Sequence, residues 1–147
     1  MKKVALIIFV TIMSFFCVNE VHAQSEPANN LGKNITQLRQ KFQNLRYKEQ
    51  RDRITEYESD GIEFTLKNGV VVAETMGTDG GRRFGYDWFC SMEKAFKNTS
   101  YKRISERSDN GMVITTVFYY SNFWITLGYW HDDGYATITY QSPEFFK

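Results

Sequence analysis

The chain has 147 residues, 42% of them hydrophobic and 16% aromatic, with a formal net charge of +1. That length suits one domain with its own core, and with only two prolines and abundant aromatics it does not have the composition of a disordered chain. The near balance of charge lacks the basic excess that phosphate-backbone binding needs, so no nucleic-acid partner is expected.

Met1-Lys2-Lys3 precede an uncharged run from Val4 to Val18, and Asn19-Glu20-Val21-His22-Ala23 lead to Gln24. A basic start, an apolar run too short for a comfortable membrane span and a small final residue predict a secretory signal peptide over 1–23, cleaved after Ala23. The two-lysine start suggests a bacterial protein, periplasmic or secreted, with no stable membrane insertion after cleavage. Cys17 follows Ser14-Phe15-Phe16, not the small and aliphatic residues of a lipoprotein signal, so lipidation is not expected. Removing 1–23 leaves 124 residues with 16 basic and 16 acidic side chains, and Cys90 as the lone thiol. That count gives no disulfide framework and no metal cluster, and no cofactor is expected.

Residues 24–33, with Ser25, Pro27, Asn29, Asn30 and Gly32, read as a flexible polar segment before a single domain over 34–147. Ile35, Leu38, Phe42 and Leu45 recur at helical spacing behind Asn34, which can cap, and predict a helix over 35–45. The basic stretch Arg39 to Arg53 reads as the wet side of that helix and its exit. Asp60-Gly61, Asn68-Gly69, Asn110-Gly111 and Asp133-Gly134 are two-residue hairpin signals, because an Asx-Gly pair tolerates the positive φ of a type I′ turn. With a weaker turn at Ser121-Asn122, they delimit strands near 53–59, 62–67, 70–75, 101–109, 112–120, 123–130 and 135–140. Between the third and fourth lies a Gly-rich connector, Gly77 to Gly85. A second helix follows at 87–97, with Trp88, Phe89, Met92 and Phe96 on one stripe and Asp87 as cap. The predicted fold is α+β: two αβββ-type units, over 34–76 and 86–140, forming an antiparallel sheet with two helices on one face.

Two-residue turns fix strand pairing, so facing residues can be counted off. In the first unit Tyr57 should meet Phe64, Leu66 meet Val71 and Phe64 meet Ala73, making a core face. In the second, Phe118 should meet Ile125, Ile114 meet Tyr129, Tyr129 meet Ile138 and Leu127 meet Tyr140. The opposite face then carries Tyr119, Trp124, Trp130 and Tyr135 among Val117, Thr115, Thr126, Thr137 and Thr139. On the first unit it lines up Glu58, Glu63 and Glu74.

Trp and Tyr give large contact area at small entropic cost, so the aromatic face is a candidate platform for a protein, peptide or glycan. A loop, the tail Pro143 to Phe146 or a homodimer partner covering it is an equal alternative. The glutamate row is a candidate patch for a cation or a basic partner, against three solvated carboxylates neutralised by Arg51, Arg53 or Lys67. His131 and Cys90 raise an enzymatic alternative built on a Cys-His pair, but the sequence around Cys90 lacks the context of such nucleophiles. A helical wheel sets Cys90 off the apolar stripe. Gly77-Thr78-Asp79-Gly80-Gly81-Arg82-Arg83 lacks Walker spacing and reads as a connector.

Leu38, Phe42 and Leu45 before the hairpin Tyr57 to Val72, repeated from Met92 and Phe96 through Tyr140, give a topology that resembles the beta-lactamase-inhibitor-like and PepSY-like small periplasmic proteins. That resemblance implies helices on one sheet face and a free aromatic face that grips proteins. The sequence therefore predicts an exported, non-enzymatic binding module of the cell envelope, with a structural assembly subunit as a further alternative.

Overall fold

The computed structural model describes residues 30–78, 80–97 and 106–147, so the signal peptide expected over 1–23, residues 24–29 and positions 101–105 of the strand expected over 101–109 lie outside the described residues. Among these the order is α1 (Ile35–Lys41), β1 (Arg46–Arg51), β2 (Ile54–Ser59), β3 (Ile62–Lys67), β4 (Val70–Thr78), α2 (Arg82–Lys97), β5 (Glu106–Asp109), β6 (Val113–Tyr119), β7 (Trp124–Trp130) and β8 (Ala136–Gln141), ending in a 3-10 turn at Pro143–Phe146. The strands form one antiparallel sheet in the order β1-β2-β3-β4-β8-β7-β6-β5. Each half is a helix followed by a four-stranded meander, and the meanders join through their last strands. The fold is α+β as expected, with one strand more in the first half than the turn signals predict and with unit boundaries moved outward accordingly.

Asn34 opens α1 with a reciprocal capping box: its side chain accepts from Gln37 N at 3.0 Å, and Gln37 Oε1 accepts from Asn34 N at 2.9 Å. The helix stops at Lys41, not at 45, because Phe42 turns extended and its ring packs 4.9 Å from that of Phe64. Leu45 still joins that cluster. Packing also begins earlier than the polar composition suggests. Asn30 is buried, Gly32 N donates to Val71 O, and Val71 N donates to Lys33 O, both at 2.8 Å.

β1 is the unexpected strand, and its sequence Arg-Tyr-Lys-Glu-Gln-Arg shows no apolar alternation. It lies at the sheet edge, where charges and a bulge near Lys48 discourage pairing with another chain. A two-residue turn at Asp52-Arg53, with Asp52 at φ 52°, leads into β2. Asp60-Gly61 and Asn68-Gly69 have all four φ angles positive, between 51° and 80°, and set the pairings Tyr57 with Phe64 and Leu66 with Val71. Beyond Val71 the count changes. Val72 is an extra residue, so Thr65 meets Ala73 and Phe64 meets Glu74 instead of Ala73. Glu74 consequently turns to the core face, and Ala73, Thr75 and Gly77 turn outward.

α2 starts at Arg82, so Arg82 to Gly85 are helical and Asp87 is internal to the helix instead of its cap. Glycines permit this early start. Gly85 lies against the carbonyl of Gly134, and a Cβ on Gly134, at φ 76°, would strike the backbone of Arg82. The β7–β8 loop spans His131 to Gly134, closed by Trp130 N donating to Tyr135 O at 2.9 Å. Four loop residues instead of two move the register by two: Tyr129 meets Ala136 and Leu127 meets Ile138. An even offset keeps every side chain on its expected face.

Both helices cover one face. Phe89 of α2, 0% exposed, packs with Phe118, Ile125, Leu127, Ile138 and Tyr140, joined by Trp88, Met92 and Phe96. Leu38 of α1 packs with Phe64, Leu66 and Val71, and Leu31 touches both clusters. Burying side chains of this size contributes roughly 1.5–3 kcal/mol each. Cys90 packs on the second-half cluster and is half-buried, although the helical wheel sets it aside.

Candidate functional site

The face opposite the helices, uncovered among the described residues, is built from cross-strand rows. One runs Glu63, Thr75, Thr139, Thr126, Val117; the next runs Thr65, Ala73, Gln141, Trp124, Tyr119; a third runs Gly77, Thr137, Gly128, Thr115. Trp130 pairs with Val113 on one side and meets Tyr135 across the turn. Tyr119, Trp124, Trp130 and Tyr135 therefore share one face, as expected. They form two pairs. Tyr119 and Trp124 meet edge to face at 5.3 Å, and Trp130 and Tyr135 meet at 5.7 Å with their planes 45° apart. Trp130 lies six positions after Trp124 along β7, about 20 Å.

The two pairs differ in exposure. Tyr119 and Trp124 are half-buried, whereas Trp130 and Tyr135 are 38% and 37% exposed. Glycines seat the second pair. A Cβ on Gly128 would lie 3.0 Å from the six-membered ring of Trp130, and one on Gly77 would collide with the ring of Tyr135. Each ring thus covers the backbone of a side-chain-free strand position. Between the pairs lie hydroxyls already linked to neighbours: Thr75 and Thr139 at 3.0 Å, and Thr126 Oγ1 donating to Gln141 Oε1 at 2.6 Å.

Three further exposed apolar residues gather around the tip that carries Trp130 and Tyr135. Met112 is 66% exposed, and its carbonyl accepts from His131 N at 2.9 Å. Phe84 is 55% exposed in the first turn of α2, beside Arg82, whose Nε donates to Asp132 O at 2.8 Å. Tyr86 packs edge-on to Tyr129 at 5.3 Å. These three escape sequence reasoning because the tip combines a helix end and two turns distant in the chain.

The glutamate row does not assemble as expected. Glu58 and Glu63 do face each other across β2–β3. Arg46 binds Glu58 at 2.7 Å, and Lys48 binds Glu63 at 2.6 Å while lying 4.0 Å from Glu58. The hydrogen bond to Glu63 holds the Lys48 ammonium above the ordinary lysine pKa. The neutralising cations are Arg46 and Lys48 of β1, not Arg51, Arg53 or Lys67. Glu74 is absent from the row because the Val72 bulge turns it inward, and Thr75 takes its place. Inside, Glu74 is fully buried; Asn30 Nδ2 donates to its Oε2 at 3.2 Å, and Oε1 has no partner. Burial raises its pKa to about 7, against the lowering effects of Asn30, Lys41 and Lys33.

Cys90 and His131 do not form a nucleophilic pair. His131 Nε2 lies 3.3 Å from Asp109 Oδ1, and its ring packs edge-on against Tyr129 at 5.5 Å. Asp109 accepts from Gly111 N at 2.9 Å, and this bond, then His131, holds its carboxyl below the ordinary value. Cys90 instead bonds Tyr86, which lifts that phenol's pKa. Tyr86 and Tyr129 thus stand between the thiol and the imidazole. No family profile, curated protein or solved structure matches this chain at a significant level.

Proposed function

We propose that the protein is an exported, non-enzymatic binding module that engages a protein partner through its uncovered sheet face, centred on Trp130 and Tyr135 and backed by Tyr119 and Trp124. The carrying observation is the concentration of exposed apolar side chains: five of the eight large ones among the described residues are Phe84, Tyr86, Met112, Trp130 and Tyr135, at one tip. Trp130 and Tyr135 stand on the uncovered face, with Phe84 and Tyr86 on α2 at the same end of the sheet, and exposed apolar surface favours contact with another molecule. Scale favours a protein. Eight strands at about 4.8 Å spacing and about 20 Å length give a face on the order of 700 Å², near the ~800 Å² that each partner contributes to a standard interface. Export rests on the basic, apolar and small-residue pattern of residues 1–23.

The test uses the mature chain as bait in envelope extracts, beside a Trp130→Ala/Tyr135→Ala variant and an exposed-helix control, Lys94→Ala. A partner retained by parent and control and lost by the aromatic variant supports the role. A partner retained equally by all three, or a glycan ligand in its place, would refute it.

A further inference from the structure

We propose that a second site, independent of the aromatic face, lies at the Val72 bulge and takes a small organic carboxylate with an apolar tail. The site follows from the topology. β8 runs beside β4 only from Ala73 to Thr78, whereas Gly32 to Asn34 run beside Val70 and Val71. Where one neighbour gives way to the other, Ser142 N donates to Val72 O at 2.8 Å. A hollow of about 490 Å³ opens there, floored by valines 70 to 72 and bordered by Arg53, Lys67, Ser142 and Lys147.

Its charges are unequal. Lys147 Nζ is held by Glu144 Oε1 at 2.8 Å, and Lys67 Nζ makes only a 3.4 Å contact with the Glu144 carbonyl. Arg53 is exposed, and its guanidinium makes no hydrogen bond or ion pair among the described residues. Three side-chain cations thus face one side-chain carboxylate, and the guanidinium fork free among them matches a carboxylate bidentately. The valine floor, with Val70 40% exposed, disfavours a bare hydrated anion and suits an aliphatic tail. The volume falls in the range of small-molecule pockets.

Titration calorimetry of the full chain with octanoate tests this. Saturable one-to-one binding is expected, weakened at least about tenfold by Arg53→Ala/Lys67→Ala and equally by Val70→Asp. Both variants change exposed or half-exposed positions, and an unchanged melting temperature shows that they still fold. Octylamine and inorganic phosphate should give no saturable heat. A short peptide ending in Val-Leu, free acid against amide, separates the sources: tighter binding of the free acid than of octanoate assigns the site to chain termini, and the reverse assigns it to fatty acids. Equal binding of octylamine, saturation by phosphate alone, an unaffected double variant, or no octanoate saturation by about 10 mM each overturns the proposal.

Discussion

Asn30 Nδ2 reaches Glu74 Oε2 at 3.2 Å, joining residues 44 positions apart inside the core. Asn30 Oδ1 in turn accepts from Lys33 Nζ at 2.9 Å and Lys41 Nζ at 3.1 Å. The amide therefore relays two cations to a carboxyl that neither bonds directly. The groups around it are thus Asn30 and Lys33 from the entering chain, Lys41 of α1, and Tyr140 of β8, itself raised by burial and then by Tyr120 and Glu74.

A buried carboxyl raised from 4.5 to about 7 favours the protonated folded state. Its contribution is complete below about pH 4.5, declines as pH rises, and is lost above about 7. Glu74→Gln keeps an acceptor for Asn30 and removes the titration. Between pH 4 and pH 8.5 the stability of the variant should gain on the parent by on the order of 3 kcal/mol, read by urea unfolding at both pH values. A constant difference would contradict a raised carboxyl.

Trp130→Ala should lower stability by only about 1 kcal/mol, because the ring is already more than a third exposed, whereas Phe89→Ala should cost about 3–5 kcal/mol. Comparable losses in the two variants would place Trp130 in the core and remove it from the proposed interface.

Alanine is the better helix former by about 1 kcal/mol, yet Gly85→Ala should destabilise by about 2 kcal/mol. Its methyl would meet the Gly134 carbonyl, which cannot withdraw without moving the β7–β8 loop. Thermal unfolding reads the sign, and a raised melting temperature would show that α2 can shift away from the loop at little cost.

Lys48→Met leaves Glu58 and Glu63 opposed on neighbouring strands with Arg46 alone beside them. The partners are partly exposed, so the loss should be below about 1 kcal/mol in dilute buffer and should vanish in 1 M salt. Denaturant midpoints at two ionic strengths check this; a loss that persists in salt would point to packing of the lysine stem.

The Asx-Gly hairpins are legible because their cause is local: Asp60-Gly61 and Asn68-Gly69 adopt positive φ and pair their flanks as counted. Alternation then assigns Trp124, Trp130, Tyr119 and Tyr135 to one face, even where the β7–β8 loop lengthens by two. The bulge at Val72 leaves no comparable mark, since Val70-Val71-Val72-Ala73 looks like unbroken strand and the carbonyl of Val72 is engaged by Ser142, 70 residues away. β1 is silent for another reason: an edge strand defended by charge hides the alternation that would announce it. The tip residues Phe84, Tyr86 and Met112 come together through glycine contacts between α2 and the β7–β8 loop and through the bond from His131 N to Met112 O.

The extra residue in β4 also imposes a parity rule. Losing Val72 alone would leave Val71 and Ala73 in regular alternation opposite Leu66 and Thr65 with every other facing intact, while losing Val72 together with Ala73 would turn the rest of the strand over, wet side inward. Shortening this strand should therefore be tolerated by the one residue at the bulge and not by two.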